Sequence, residues 1–274
     1  MRDPREVLTR AASPPRLTVR YGSHSDHLAD VWLPSAPEGA APPLVVFVHG
    51  GFWRAEWDRM HSRPLCNALA EAGYAVAAIE YRRVGQPGGG WPGSFDDMAL
   101  ALDTVPSLLA DEGVRFGPVV LSGHSAGGHF VLWAASRHRL PESALWRRDT
   151  PAPIAGVLAL APVCDLAAAY RDGLGGGAAG ELLGGGPDAF PERYAAADPS
   201  ALPLPEVPTA LVHGTADDRV PITQSEQYAA RTPDVPSGVT PTLVAIPDAD
   251  HFAVIDPLSP AWPPTLAALA DLTK

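Results

Sequence analysis

Short, continuous apolar runs separated by helix-length stretches limit this chain more than any other feature. Leu44–Val48 reads LVVFV, and Val119–Ser122, Ile154–Ala161 and Thr209–His213 are likewise dominated by apolar residues at successive positions. Such strands are expected to be buried on both faces, as a parallel sheet covered by helices on either side requires. Ala75–Tyr81 and Thr242–Ile246 add two more strands. Leu17–Tyr21 and Leu28–Leu33 read as an opening hairpin across a polar turn at Ser23–Asp26. Helices are predicted between the strands: Leu65–Ala72 stopped by Gly73, Asp97–Leu109 capped by Ser94 with Asp96 and Asp97 in its first turn, Ala126–Ser136, Pro221–Ala230 and Pro264–Leu272.

At 274 residues the chain suits one large domain and is short for two. The expectation is a single domain over 1–274 with a Gly-rich lid or loop inserted at 165–204. That insertion contains Gly175-Gly176-Gly177 and Gly184-Gly185-Gly186, and its composition favours a mobile loop. A net charge of −11 argues against a nucleic-acid surface, which needs a concentrated basic patch. The pairs Arg82-Arg83 and Arg147-Arg148 read as solvated loop charges. Cys66 and Cys164 lie outside any CxxC or metal-ligand spacing and read as buried thiols. The charged start Met1-Arg2-Asp3-Pro4-Arg5-Glu6 leads into no apolar leader, and no stretch approaches the roughly 20 apolar residues of a membrane span. A cytoplasmic location without membrane attachment is expected.

Gly123-His124-Ser125-Ala126-Gly127 fits G-x-S-x-G, directly after a buried strand and directly before a helix. A chain reversing within so few residues puts the serine on a strained tip, and small neighbours allow close backbone approach. The next amide, that of Ala126, then stands at a helix N-terminus, where a developing oxyanion is stabilised. Taken alone, the motif also fits an ordinary Gly/Ser turn.

Three further segments lie at strand ends. His49-Gly50-Gly51-Phe52-Trp53 follows Leu44–Val48, and its glycines allow the amides of Gly51 and Phe52 to turn toward a shared site. His49 precedes the serine and reads as a brace for the loop. His213-Gly214-Thr215-Ala216-Asp217-Asp218-Arg219-Val220-Pro221 supplies a carboxylate in a loop, with Asp217 and Asp218 competing for the place. Asp248-Ala249-Asp250-His251-Phe252 holds the one histidine that follows those acids. A buried carboxylate accepting the Nδ1 proton of such a histidine would orient it as a base toward Ser125.

Over nearly its whole length the chain resembles the α/β-hydrolase superfamily. HGGFW, GHSAGGH and HGTADDRVP are similar to segments of the esterase group that holds kynurenine formamidases (arylformamidases) and feruloyl/acetyl-xylan esterase-like enzymes. Gly50-Gly51-Phe52-Trp53 is closer to formamidases than to hormone-sensitive-lipase-like enzymes, which usually show a third glycine. The resemblance implies a mostly parallel central sheet of about eight strands with helices on both faces, and no metal or organic cofactor. It also implies Ser125, Asp217 and His251 as catalytic residues, Asp217 being the acid four residues before the proline. Gly51, Phe52 and Ala126 would be the oxyanion donors. The implied partner is a small-molecule ester or amide of the N-formylkynurenine type, with general acetyl or feruloyl ester hydrolysis as the alternative. A peptidase, or a non-catalytic ligand-binding protein on the same scaffold, is a weaker alternative. A homodimer is compatible with the chain.

Trp53, Trp91, Asp165 and Phe252 are the expected substrate-binding residues, because the site loops carry them and an aromatic substrate would suit the rings. Tyr170 is placed beside Asp165 as a further contact. Packing alone would account for each aromatic equally well. His129 reads as a packed helix residue, and His24 and His27 as members of a polar turn without a third metal ligand.

Overall fold

The computed structural model describes residue 3, residues 5–35, residue 39, residues 41–232 and residues 239–274. Met1, Arg2 and Pro4 of the charged opening stretch lie outside the described residues. Eight strands form one sheet: β1 (Leu17–Arg20), β2 (Leu28–Trp32), β3 (Leu44–Val48), β4 (Ala75–Ile79), β5 (Val119–His124), β6 (Gly156–Leu160), β7 (Thr209–Gly214) and β8 (Thr242–Ile246). Their order is β1-β2-β4-β3-β5-β6-β7-β8. β2 runs antiparallel to both β1 and β4, and every other pairing is parallel. This is the α/β-hydrolase architecture.

The apolar runs are continuous because both faces of the sheet are covered. Along β3, Leu44, Val46 and Val48 enter one core cluster while Val45 and Phe47 enter the other, the period-two alternation of a pleated strand. α1 (Glu6–Thr9), α2 (Arg63–Glu71) and, at the far end of the chain, a C-terminal helix (Trp262–Asp271) supply Val7, Leu65, Leu69 and Leu269 to the second cluster. On the opposite face, α3 (Gly93–Asp111) and α4 (Ala126–Ala135) supply Phe95, Met98, Phe130 and Trp133. Among the described residues, no helix is long and apolar enough to cross a membrane.

Two local expectations are corrected. Ser94 does not cap α3, which begins at Gly93. Its hydroxyl instead donates to Arg82 O at 2.5 Å and accepts from the Gly90 amide at 2.9 Å, tying the loop between β4 and α3 to the helix. Arg82-Arg83 is not a pair of solvated loop charges either, since Arg83 is buried against Asp26 at 3.0 Å and Arg82 pairs with Asp97. His27, at the end of the polar turn, is buried and stacked on Tyr21, with Nε2 2.8 Å from Asp97. Cys66 and Cys164 are both buried free thiols, and His129 is buried with Nε2 donating to Ala197 O at 2.9 Å.

The segment 165–204 contains α5 (Leu166–Arg171), α6 (Ala178–Leu183) and α7 (Pro191–Ala197), so it is not a bare loop. α8 (Thr223–Ala229) follows β7, and the C-terminal helix is α9.

Candidate active site

β5 ends at His124 and α4 begins at Ala126, so Ser125 alone carries the reversal. Its φ of 56° and ψ of −117° put a non-glycine residue in the left-handed half of backbone space, at a cost of about 1–3 kcal/mol. The flanking glycines make that turn attainable. A Cβ on Gly123 would stand 2.3 Å from the Gly127 carbonyl oxygen, and one on Gly127 would stand 2.0 Å from that of Val48 at the end of β3. A side chain at either place would push α4 off the strand ends and take Ser125 with it.

The loop after β7 turns Asp217 inward. Its Oδ1 accepts from the amides of Arg219 and Val220, both at 2.8 Å, and the side chain is sealed from solvent. Oδ2 lies 2.6 Å from His251 Nδ1 and 3.1 Å from His213 Nε2. Burial raises the Asp217 carboxyl, but the hydrogen bonds from His213, His251 and the Val220 amide outweigh it and hold the group well below the usual carboxylate range. An ionised carboxylate only accepts, so both imidazoles donate to it. Nε2 is then the other edge of the His251 ring. Asp250 braces the turn carrying that ring, its Oδ1 accepting from Phe252 N at 2.8 Å and Ala253 N at 3.0 Å. Asp218 points outward, with a side chain 72% exposed that pairs with Arg219 at 3.4 Å.

The loop after β3 packs directly on the elbow. A Cβ on Gly50 would lie 3.0 Å from the Ser125 Cβ. Gly51, Phe52 and Trp53 all take positive φ, at 114°, 50° and 58°. His49 holds the start of this loop: Nδ1 donates to Gly50 O at 2.7 Å and Nε2 lies 2.9 Å from Glu80 Oε1. A trans peptide points its N–H opposite to its C=O, so fixing the Gly50 carbonyl also fixes the direction of the Gly51 N–H. The amides of Gly51, Phe52 and Ala126 donate to no acceptor among the described residues.

Ser125, His251, Gly51 and Phe52 line one cleft of about 170 Å³ together with Phe252. Of the four residues expected to bind substrate, Phe252 alone is on this wall. Trp53 is 1% exposed, its indole N–H directed at His129 in the core. Trp91 packs edge-on against Phe95 and Trp146. Asp165 caps α5, accepting from Ala168 N at 2.6 Å. Tyr170 packs beside Tyr194 and the glycines of 165–204. None of these three expected contacts, nor Tyr170, reaches the cleft.

The wall also holds Arg5 and Leu8 from the N-terminal segment, Trp57 and His61 from the stretch that follows the loop after β3, and His124 and Arg219. Sequence patterns do not mark Arg5, Leu8, Trp57 or His61 as site residues, because α1 spans only four residues, too few to show a period, and Trp57 lies in an irregular stretch. His124 was on view as the second residue of the motif. Its Nε2 donates to His251 O at 3.0 Å and its ring sits 4.6 Å from that of His251, so the elbow itself steadies the histidine loop. Burial, followed by the neighbouring His251, pulls the His124 imidazole well below its ordinary value. His61 is pulled down to about 3 by burial and His49.

Residues 29–231 match the family model described as BD-FAE. The esterase LipQ of Mycobacterium tuberculosis is 27% identical over 85% of this chain and 56% of its own length. The kynurenine formamidase of Drosophila melanogaster is 30% identical over 41% of this chain and 35% of its own. A truncated carbohydrate esterase from gut microbiota superposes with a TM-score of 0.75 at 20% identity, covering 96% of this chain and all of that one. The chain thus spans about half or less of the length of the two curated relatives.

Proposed function

The chain belongs to the BD-FAE family, and from that premise we propose that it is a serine esterase cleaving small carboxylic esters. Ser125 is the nucleophile, His251 the base and Asp217 the acid that orients it. One observation carries this reading: His251, whose Nδ1 stands 2.6 Å from the sealed Asp217 carboxylate, lines the same cleft as the strained Ser125. Asp217 fixes the tautomer, so Nε2 takes the Ser125 proton as Oγ attacks the ester carbonyl. The tetrahedral oxyanion is received by the amides of Gly51, Phe52 and Ala126. His251 then returns the proton to the departing alkoxide, and a water activated by the same ring releases the acid from Ser125.

A cleft of about 170 Å³ is below the roughly 300–1,000 Å³ of drug-sized ligand sites, which favours a short acyl group. A second reading, arylformamide hydrolysis, draws on the rings of Phe52, Trp57 and Phe252 around the cleft and on the similarity to the Drosophila formamidase. The ratio of kcat/KM for 4-nitrophenyl acetate to that for N-formylkynurenine separates the two. Ser125→Ala is expected to lose about four to six orders of magnitude in kcat with an unchanged circular dichroism spectrum. A variant keeping a tenth of the activity would overturn the assignment.

A further inference from the structure

The charge on the wall of the catalytic cleft is opposite to that of the molecule. The chain carries a net −11, yet among the described residues no carboxylate lines the cleft, whose permanent charges are the guanidinium groups of Arg5 and Arg219. Asp217 is shut behind His251 and does not reach the wall. Depth orders the rest. Ser125, His124 and His61 are buried, whereas Arg5 is exposed and the Arg219 side chain is 39% exposed, so the arginines stand at the mouth.

Both arginines project from anchored backbone. The Arg219 amide donates to Asp217 Oδ1 at 2.8 Å, so its position is set by the same carboxylate that orients His251. Arg5 opens α1, which is held down by Val7 in the core and by two hydrogen bonds from Arg10 to Asp256, at 2.5 and 3.0 Å. Among the described residues neither guanidinium is committed to a strong partner. The Arg219 contact to Asp218 is long, involves an exposed carboxylate and leaves Nε without a hydrogen bond. Exposed pairs of that kind contribute little and exchange readily.

We propose that Arg5 and Arg219 form an anion-binding subsite at the cleft mouth, and that the preferred substrates are esters carrying a second, free carboxylate. This rests on the esterase reading and adds the substrate class to it. The planar guanidinium fork matches a carboxylate in two parallel hydrogen bonds. Leu8, Trp57 and Phe252 give the ester body apolar surface on the same cleft wall. In an acidic molecule, a local positive field also sorts anionic substrates toward this cleft and away from the remaining surface.

Two matched pairs test the proposal: 4-nitrophenyl butyrate against mono-4-nitrophenyl succinate, and phenyl acetate against 3-acetoxybenzoate, each corrected for spontaneous hydrolysis. They place the extra carboxylate on the acyl arm and on the leaving-group arm in turn. At low salt the anionic member of at least one pair is expected to show about tenfold higher kcat/KM. That ratio falls toward one in Arg5→Gln/Arg219→Gln and at high salt. Equal or better turnover of the neutral member in both pairs, or a preference that survives the double substitution, would overturn the subsite while leaving the esterase reading standing. Calorimetric binding of 3-acetoxybenzoate to Ser125→Ala, expected to weaken about tenfold when both arginines are replaced, reads the subsite without turnover. Total absence of ester hydrolysis would strike the esterase reading instead, and binding unaffected by the arginines would again sink the subsite.

Discussion

Asp217 and Asp218 carry the same side chain and differ in where the loop after β7 points them. Asp217 has no exposed side-chain surface, and its neighbour is 72% exposed. Asp217→Asn should keep the shape of the site but present an amide to His251 Nδ1, which destabilises the imidazolium and permits the wrong tautomer, for a loss of about 10⁴ in kcat. Asp218→Asn should change kcat by less than about threefold, since it removes only a surface pair. Steady-state rates on one neutral ester decide the ranking, and the reverse order would move the acid to Asp218. The folded carboxyl of Asp217 lies below its unfolded value. Its stabilisation is therefore complete above the ordinary carboxylate range and is lost as pH falls through it and below. Motif spacing made this residue legible. It misled at Trp53, which neighbours Phe52 in a site loop. Successive positive φ values at the two positions leave Phe52 at the cleft and place the indole of Trp53 in the core, a rotation no spacing rule shows.

The loop after β3 shows what a pair of strands contributes. β3 and β4 are parallel neighbours in register Val48↔Ile79, so the residues just past their ends, His49 and Glu80, fall side by side. Glu80 also accepts from the Arg59 amide at 3.0 Å and pairs with Arg83 at 3.2 Å. As a string of letters, Glu80 falls inside the run Ala75–Tyr81 with nothing to mark its role, and only the sheet order reveals that it lies 2% exposed beneath the loop. Burial raises its carboxyl, but His49 and Arg83 outweigh that and bring it down to about 2 from the ordinary 4.5. Because the folded value is the lower one, the contribution is full above pH 4.5 and disappears as pH falls from there to about 2. Glu80→Gln weakens a buried acceptor shared by His49 and the Arg59 amide, while Arg59 keeps Asp30 and Arg83 keeps Asp26, and is expected to cost about 1–3 kcal/mol. If the Gly51 amide acts on the transition state as proposed, the substitution should lower kcat more than it raises KM. Urea midpoints across that pH range should slope less in the variant, and an identical slope would remove Glu80 from the account.

For the molecule as a whole, the open matter is whether residues 165–204 move as a lid or belong to the one domain. Glycine-rich composition suggests mobility, but the glycines are used for geometry. Gly173, Gly175, Gly176 and Gly177 all adopt positive φ, which side chains resist. A Cβ on Gly175 would fall 2.6 Å from the ring of Phe52, and one on Gly186 would fall 2.6 Å from that of Tyr170. The segment is fastened at several places. Arg54 makes two bonds to Glu181, at 2.7 and 2.9 Å, and the Trp91 amide donates to Leu182 O at 2.8 Å. From α4, Trp133 and His129 donate to Ala196 O and Ala197 O, both at 2.9 Å. The exposed Arg54 pair alone is worth little, whereas the buried donors of α4 would be left unsatisfied if the segment lifted, at about 1–3 kcal/mol each. Opening is thereby coupled to the packing of the elbow helix. The segment should accordingly exchange its amide hydrogens only with the global unfolding of the sheet, with the same urea dependence as β5. Hydrogen exchange read peptide by peptide tests this, and protection lost from 165–204 at urea concentrations that leave β5 intact would make the segment a separately opening lid.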